Sequence, residues 1–148
     1  MEPIFGVRNL VINLSWIDFF TENSDIPLHS HDKAVLKQHP TNLNQLIFEN
    51  TITFKTLFGV TLSTFTAAPI SFNIPAESLH IILGDGDDTL TVSSAIPVAT
   101  NLTIEGDAGE DKVFINKNFN LGSKNLNIDT EAIVVGFALG KANDVKDW

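Results

Sequence analysis

Cysteine is absent from all 148 residues, so disulfide staples, thiolate nucleophiles and cysteine-ligated zinc are excluded. Basic charge is scarce: nine Lys and Arg stand against eighteen Asp and Glu, a net charge of −9. Such a field repels phosphate backbones and anionic membrane surfaces, so nucleic acid is not expected as a partner. Long apolar runs are missing too. Arg8, Asp18 and Lys55 interrupt the best stretches short of the ~20 residues that a spanning helix needs, and no membrane insertion is expected. Met1 to Phe20 lacks the basic n-region, clean apolar segment and small-residue cleavage site of a signal peptide. A protein of this sequence working outside the cell is therefore expected to be a mature fragment or a piece of something longer.

Apolar residues make up 43% of the chain, enough for one domain-sized core and too much for wholesale disorder. The charge is unevenly placed. Residues 84–111 hold seven acids (Asp85, Asp87, Asp88, Glu105, Asp107, Glu110, Asp111) and no Lys or Arg, whereas the remainder carries nine bases and eleven acids. Acids gathered in two short Gly-containing clusters differ from a solvated helix face, which would scatter both signs.

Sliding the sequence by 23 lays residues 78–92, SLHIILGDGDDTLTV, over residues 101–115, NLTIEGDAGEDKVFI, without a gap. Leu79 falls on Leu102, Ile81 on Ile104, Gly86 on Gly109, Asp88 on Asp111, Leu90 on Val113 and Val92 on Ile115. A further step of 24 carries Asn101-Leu-Thr-Ile onto Asn125-Leu-Asn-Ile, where the acidic turn has gone but an apolar pair of strands remains. Residues 46–66 and 70–74 also alternate apolar and polar residues rich in Ile, Thr, Phe and Val, as half-buried strands do.

Each copy reads as a short alternating strand, a Gly-Asp turn, a second short strand and a polar connection, in the first of which Pro97 interrupts pairing. Two short strands cannot bury their own apolar face, but stacking one copy on the next gives a continuous core. The expected fold is all-β: a short parallel β-solenoid of ~23-residue coils over residues 46–148, with residues 1–45 as an N-terminal cap or an irregular lead-in segment. An antiparallel sandwich would use the same turn spacing, but recurrence in register is what parallel stacking requires. Within residues 1–45, Leu10 to Leu14 reads as a strand and Asp32 to His39 as a short helix stopped by Pro40. Trp16, Phe19 and Phe20 read as cap core or as an exposed aromatic surface for glycan or protein.

Residues 51–116 resemble the extended repeats of very large bacterial surface and secreted proteins related to the repeats-in-toxin calcium-binding β-rolls. The match rests on GDGDDTLTV, residues 84–92, and GDAGEDKVF, residues 106–114. Against the nonapeptide G-G-x-G-x-D-x-U-x, Leu83 replaces the first Gly in one copy and Asp107 the second Gly in the other. The copies here also recur every 23 residues instead of following one another directly. The resemblance implies an extracellular or cell-surface location and an adhesive or scaffold role.

Calcium is the cofactor that the acidic turns suggest, since Ca²⁺ takes six to eight oxygens and Gly lets the backbone curl so that carbonyls join the carboxylates. Stacking would set Asp88 and Asp111 ~4.8 Å apart, with Asp85, Asp87, Asp107 and Glu110 nearby, and like charges so close call for a cation. The plainer reading is exposed Asx turns capping their own backbone. His29, His31 and His39 with Asp32 lack any strict metal spacing and read as solvated loop histidines, while His80 should face outward. GFALGKA, residues 136–142, misses the phosphate-loop spacing, no G-x-S-x-G elbow is present, and the sequons at Asn13 and Asn101 matter only on a eukaryotic secretory route.

The function expected is structural: a β-solenoid segment of an extracellular or cell-surface adhesin or scaffold, partnered by neighbouring repeats of a longer parent chain, other subunits or surface glycans. The alternative is a glycan-active or glycan-binding solenoid, whose chemistry would need two carboxyls ~5 to 9.5 Å apart.

Overall fold

The computed structural model describes residues 8–14, 28–56, 60–93, 98–115, 121 and 123–135. The strands are β1 (Asn9–Asn13), β2 (Leu28–Gln38), β3 (Gln45–Thr56), β4 (Thr61–Thr66), β5 (Ile70–Asn73), β6 (Ser78–Ile82), β7 (Thr89–Ser93), β8 (Asn101–Glu105), β9 (Lys112–Ile115), β10 (Leu126–Asp129) and β11 (Ala132–Val135). Among the described residues the chain is all-β, and no helix is long and apolar enough to cross a membrane. A four-stranded sheet runs β1-β6-β8-β10, and a seven-stranded sheet runs β11-β9-β7-β2-β3-β4, with β5 also on β3.

The first sheet is parallel throughout. Leu10, Leu79, Leu102 and Leu126 pair in one row, and Ile12, Ile81, Ile104 and Ile128 in the next. In the second sheet Ala34, Leu90, Val113 and Ile133 form a row, followed by Leu36, Val92 and Ile115. The period-2 alternation of the pleat sends these residues to one face, and the eight inward positions expected from the 23-residue register all belong to one buried cluster. Burying each such side chain contributes ~1.5 to 3 kcal/mol, and parallel pairs need both faces or a shared core covered to hold.

Two elements differ from the reading of the sequence. Asp32 to His39, expected as a helix, lies in β2 up to Gln38. Its Ala, Leu, Lys and Gln are good helix formers, but propensity differences are under ~1 kcal/mol per residue and yield to burial. The burial alternates with period two: Ser30, Asp32, Ala34 and Leu36 are inside, with His31, Lys33 and Val35 between them. β1 and β2 then pair parallel with β6 and β7, so strands from residues 1–45 share the two sheets with those that follow.

Residues 45–73 are the second difference. β3 runs antiparallel to β2 along its whole length, and β4 and β5 run antiparallel to β3, end to end along its outer side. Short connections permit only that direction, because a parallel return needs a crossover of a dozen or more residues. This antiparallel excursion interrupts the parallel series between β2 and β6. Pro97 and Gly136 to Ala142 lie outside the described residues.

Candidate functional site

The acidic turns are the six-residue connections 83–88, between β6 and β7, and 106–111, between β8 and β9. Their backbones match: Gly84 and Asp107 have φ of 91° and 72°, and Gly86 and Gly109 have φ of 117° and 119°. A Cβ on Gly86 would lie 2.0 Å from the Ser30 carbonyl oxygen, and one on Gly109 would lie 2.0 Å from the Gly86 carbonyl oxygen. Glycine is required there because backbone stacks directly on backbone. The Gly86 N–H donates to the Ala108 carbonyl at 2.9 Å, and the Lys112 N–H to the Asp88 carbonyl at 2.9 Å. Asp107 takes the left-handed conformation that its short polar side chain tolerates.

Register places Asp32, Asp88, Asp111 and Glu131 in one row, Asp32 within β2 and the other three each just before its strand. The Asp32 N–H donates to Asp88 Oδ1 at 2.6 Å, the Asp88 N–H to Asp111 Oδ1 at 3.1 Å and the Asp111 N–H to Glu131 Oε2 at 3.0 Å. Asn50 Nδ2 on β3 donates to Asp32 Oδ1 at 2.8 Å. Asp32, Asp88 and Asp111 are 1–2% exposed. The turns therefore splice together through a column of carboxylates in which each satisfies a backbone donor of the preceding level. Charge-assisted bonds of this kind contribute ~1.5 to 3 kcal/mol and make the site intolerant of truncation.

Burial pushes the Asp111 carboxyl up to about 7. The Asp88 N–H pulls it down, while the nearby charges of Glu131, Asp87 and Asp107 add to the rise. Its second oxygen, Oδ2, has no hydrogen-bond partner and faces Gly106, where a Cβ would sit 2.2 Å away. Asp107 is also raised from its ordinary value, by partial desolvation and then by Glu105, Asp85 and Asp129.

The six expected site residues thus divide in two. Asp85, Asp87, Asp107 and Glu110 are exposed, as solvated turns would have them, but Asp88 and Asp111 are not exposed corners. Among the described residues no three His, Asp or Glu side chains converge as a ligand group, and Oδ1 of Asp88 and of Asp111 each accepts a backbone N–H.

His31 is not a loop residue. It lies in β2, and its Nδ1 accepts from the Asp87 N–H at 2.8 Å, while Asp87 Oδ1 accepts from the Glu110 N–H at 2.9 Å, a second, outer row beside the buried one. His39 Nδ1 accepts from the Thr41 and Asn42 N–H groups at 3.1 and 3.0 Å, closing the β2–β3 turn. His80 Nε2 and Glu105 Oε1 are 2.8 Å apart on the outer face of the first sheet. The His29 side chain, Trp16, Phe19 and Phe20 lie outside the described residues.

Asp32, Asn50 and Glu131 were not anticipated. The signal for Asp32 was present: Ser30-His-Asp-Lys-Ala lies over Gly86-Asp-Asp-Thr-Leu at an offset of 56, hidden by the excursion between them. Glu131 aligns only when four residues are dropped from the turn, because residues 130–131 alone connect β10 to β11.

The core holds a void of about 10 Å³ lined by Leu36, Leu46, Leu79, Val92, Val98, Thr100 and Leu102. It is the size of one water molecule and lined almost wholly by carbon, so it offers no room to an organic ligand. No protein-family model matches the chain, and no characterised protein or solved structure matches it either.

Proposed function

We propose that the chain is a structural β-solenoid segment of an extracellular or cell-surface protein of the adhesin or scaffold kind. The observation that supports this reading is the carboxylate column: the most costly polar groups of the chain link one level to the next, so its chemistry is directed inward at stacking. Four in-register levels, each giving one strand to either sheet, are consistent with coils whose neighbours supply the missing core face. The raised net negative charge keeps such an extended surface soluble.

The location is tested in the native host with an antibody to the folded chain. Labelling of intact cells, and loss of that label on mild external proteolysis, is expected; label only after permeabilisation would reject a surface role. Incubation with acidic polysaccharides is expected to release no new reducing ends, and release that Asp88→Asn and Asp111→Asn both abolish would replace the scaffold with a glycan-cleaving enzyme.

A further inference from the structure

The outer side of the seven-stranded sheet ends at β4, with no described strand beyond it. Every residue of β4, Thr61–Thr66, is exposed. The segment around it is chemically unlike the rest of the molecule. No charged residue occurs from Thr56 to Ala76, in a chain with nine bases and eighteen acids. Of the seven large hydrophobic residues exposed among the described ones, four are here: Val60, Leu62, Phe65 and Ile70, each more than half exposed.

A bare edge strand normally carries a charge, a proline or a bulge that discourages pairing with another chain. β4 has neither charge nor proline, and its one irregularity sits at its start, opposite Phe54 and Lys55. The Ala67 N–H donates to the Asn50 carbonyl at 2.9 Å. By antiparallel alternation Ser63 and Phe65 also turn their backbone groups to β3, and Thr64 and Thr66 turn theirs outward, while Leu62 is skipped at the register shift. Two successive outward positions, Thr64 and Thr66, offer donors and acceptors in the spacing of a ladder.

We propose that β4 is a self-association edge, at which a second copy of this chain adds its own β4 antiparallel to form one continuous sheet. Charge selects this occupant. Two chains of net −9 repel each other, and the uncharged stretch is where they can approach with least penalty. A partner recognised by charge would find nothing here to pair with, whereas an identical strand supplies matching backbone groups. A two-fold axis normal to the sheet keeps each face on its own side, so paired residues share parity. Centring the axis on Thr64 sets Leu62 against Thr66 and Ser63 against Phe65 of the second copy. The Thr64 pair on the axis then exchanges two hydrogen bonds, Thr66 extends the ladder to either side, and the exposed phenyl rings come to lie beside the join.

The test is sedimentation velocity with light scattering over a wide concentration range, on wild type, Thr64→Pro, Thr64→Lys and Val134→Lys. Wild type should rise from 16.2 kDa toward twice that mass. Thr64→Pro removes an outward N–H that β3 does not use and should remain monomeric with an unchanged circular dichroism spectrum. Thr64→Lys restores the missing guard and should do the same, which decides the matter if the proline variant fails to fold. Val134→Lys, on the opposite edge strand β11, should dimerise like wild type. A wild type that is monomeric throughout overturns the proposal, as does a dimer that survives both Thr64 variants or is lost in Val134→Lys.

Discussion

The parallel levels β6 to β11 and the antiparallel excursion β3 to β5 are made of similar residues, short alternations of Ile, Leu, Val, Phe and Thr, yet they are held in opposite ways. In the levels, Leu79, Ile81, Leu90, Val92, Leu102, Ile104 and Val113 are all but fully buried, and the turns are fixed by glycine and by carboxylates. In the excursion the inner face of β3 is covered at Leu46, Phe48 and Ile52 and Phe72 of β5 packs partly against the core, while β4 is open on both sides. Alternation alone therefore measures strand character and says little about burial, which depends on whether a second layer faces the strand.

The sharpest way to separate the regions is one chemical change made in each. Ile104→Asp puts an unpaired carboxylate where nothing is exposed, costing several kcal/mol against a total stability of ~5 to 15, and should abolish the cooperative thermal transition. Phe65→Asp, at a position 57% exposed, should shift the unfolding free energy by no more than about 1 kcal/mol. A stable, soluble Ile104→Asp variant would remove that residue from the core.

The next largest difference is in pH. With a folded value of about 7 against 3.8 when unfolded, the Asp111 carboxyl is held preferentially protonated by the native state. Its stabilising contribution is complete below pH 3.8 and is lost as pH rises through 7, an effect on the order of 4 kcal/mol. The denaturant midpoint should therefore fall between pH 5 and pH 8. Asp111→Asn retains an acceptor for the Asp88 N–H and should flatten that profile; parallel profiles for the two proteins would remove Asp111 as its source.

Turn geometry gives a smaller contrast. Gly109→Ala drives a methyl into the Gly86 carbonyl and holds a side chain at φ 119°, which should cost ~2 to 3 kcal/mol in equilibrium unfolding. Asp107→Gly, at the position matching Gly84, should instead stabilise by up to about 1 kcal/mol, by relieving left-handed strain and removing a charge near Glu105, Asp85 and Asp129. Smallest is Thr100→Val. The Thr100 hydroxyl is buried without a hydrogen-bond partner beside the core void, and replacing it with a methyl should add about 1 kcal/mol to the melting transition.

What the sequence disclosed follows the same division. Where two copies keep the same length, as at Leu79 over Leu102 and Asp88 over Asp111, a single offset of 23 identifies both the inward residues and the paired acids. Where length varies, the pattern dissolves. Asp32 was separated from its row by an excursion of inserted strands, and Glu131 by a turn reduced to two residues. The short helix expected at Asp32 to His39 failed because propensity is local, while the alternation that won is imposed by β3 and β7 on either side. The burial of Asp88 and Asp111 was hidden for another reason: isolated turns leave such carboxylates wet, and only the adjacent levels dry them.

The hydrogen bonds of the carboxylate column all point one way. Asp32 is completed by Asp88, Asp88 by Asp111 and Asp111 by Glu131, always by a residue later in the chain. During synthesis the earlier residue leaves the ribosome first, so every level emerges with one inner amide still waiting for its acceptor. Folding should then trail translation by one level. A released chain truncated between Asp111 and Glu131 should show the Asp111 amide exchanging with solvent while that of Asp88 is already protected. A chain clipped at its other end loses a donor and leaves a carboxylate that water can hydrate, a lesser injury. The stack has a ripening end and a sealed end, and they are chemically distinct.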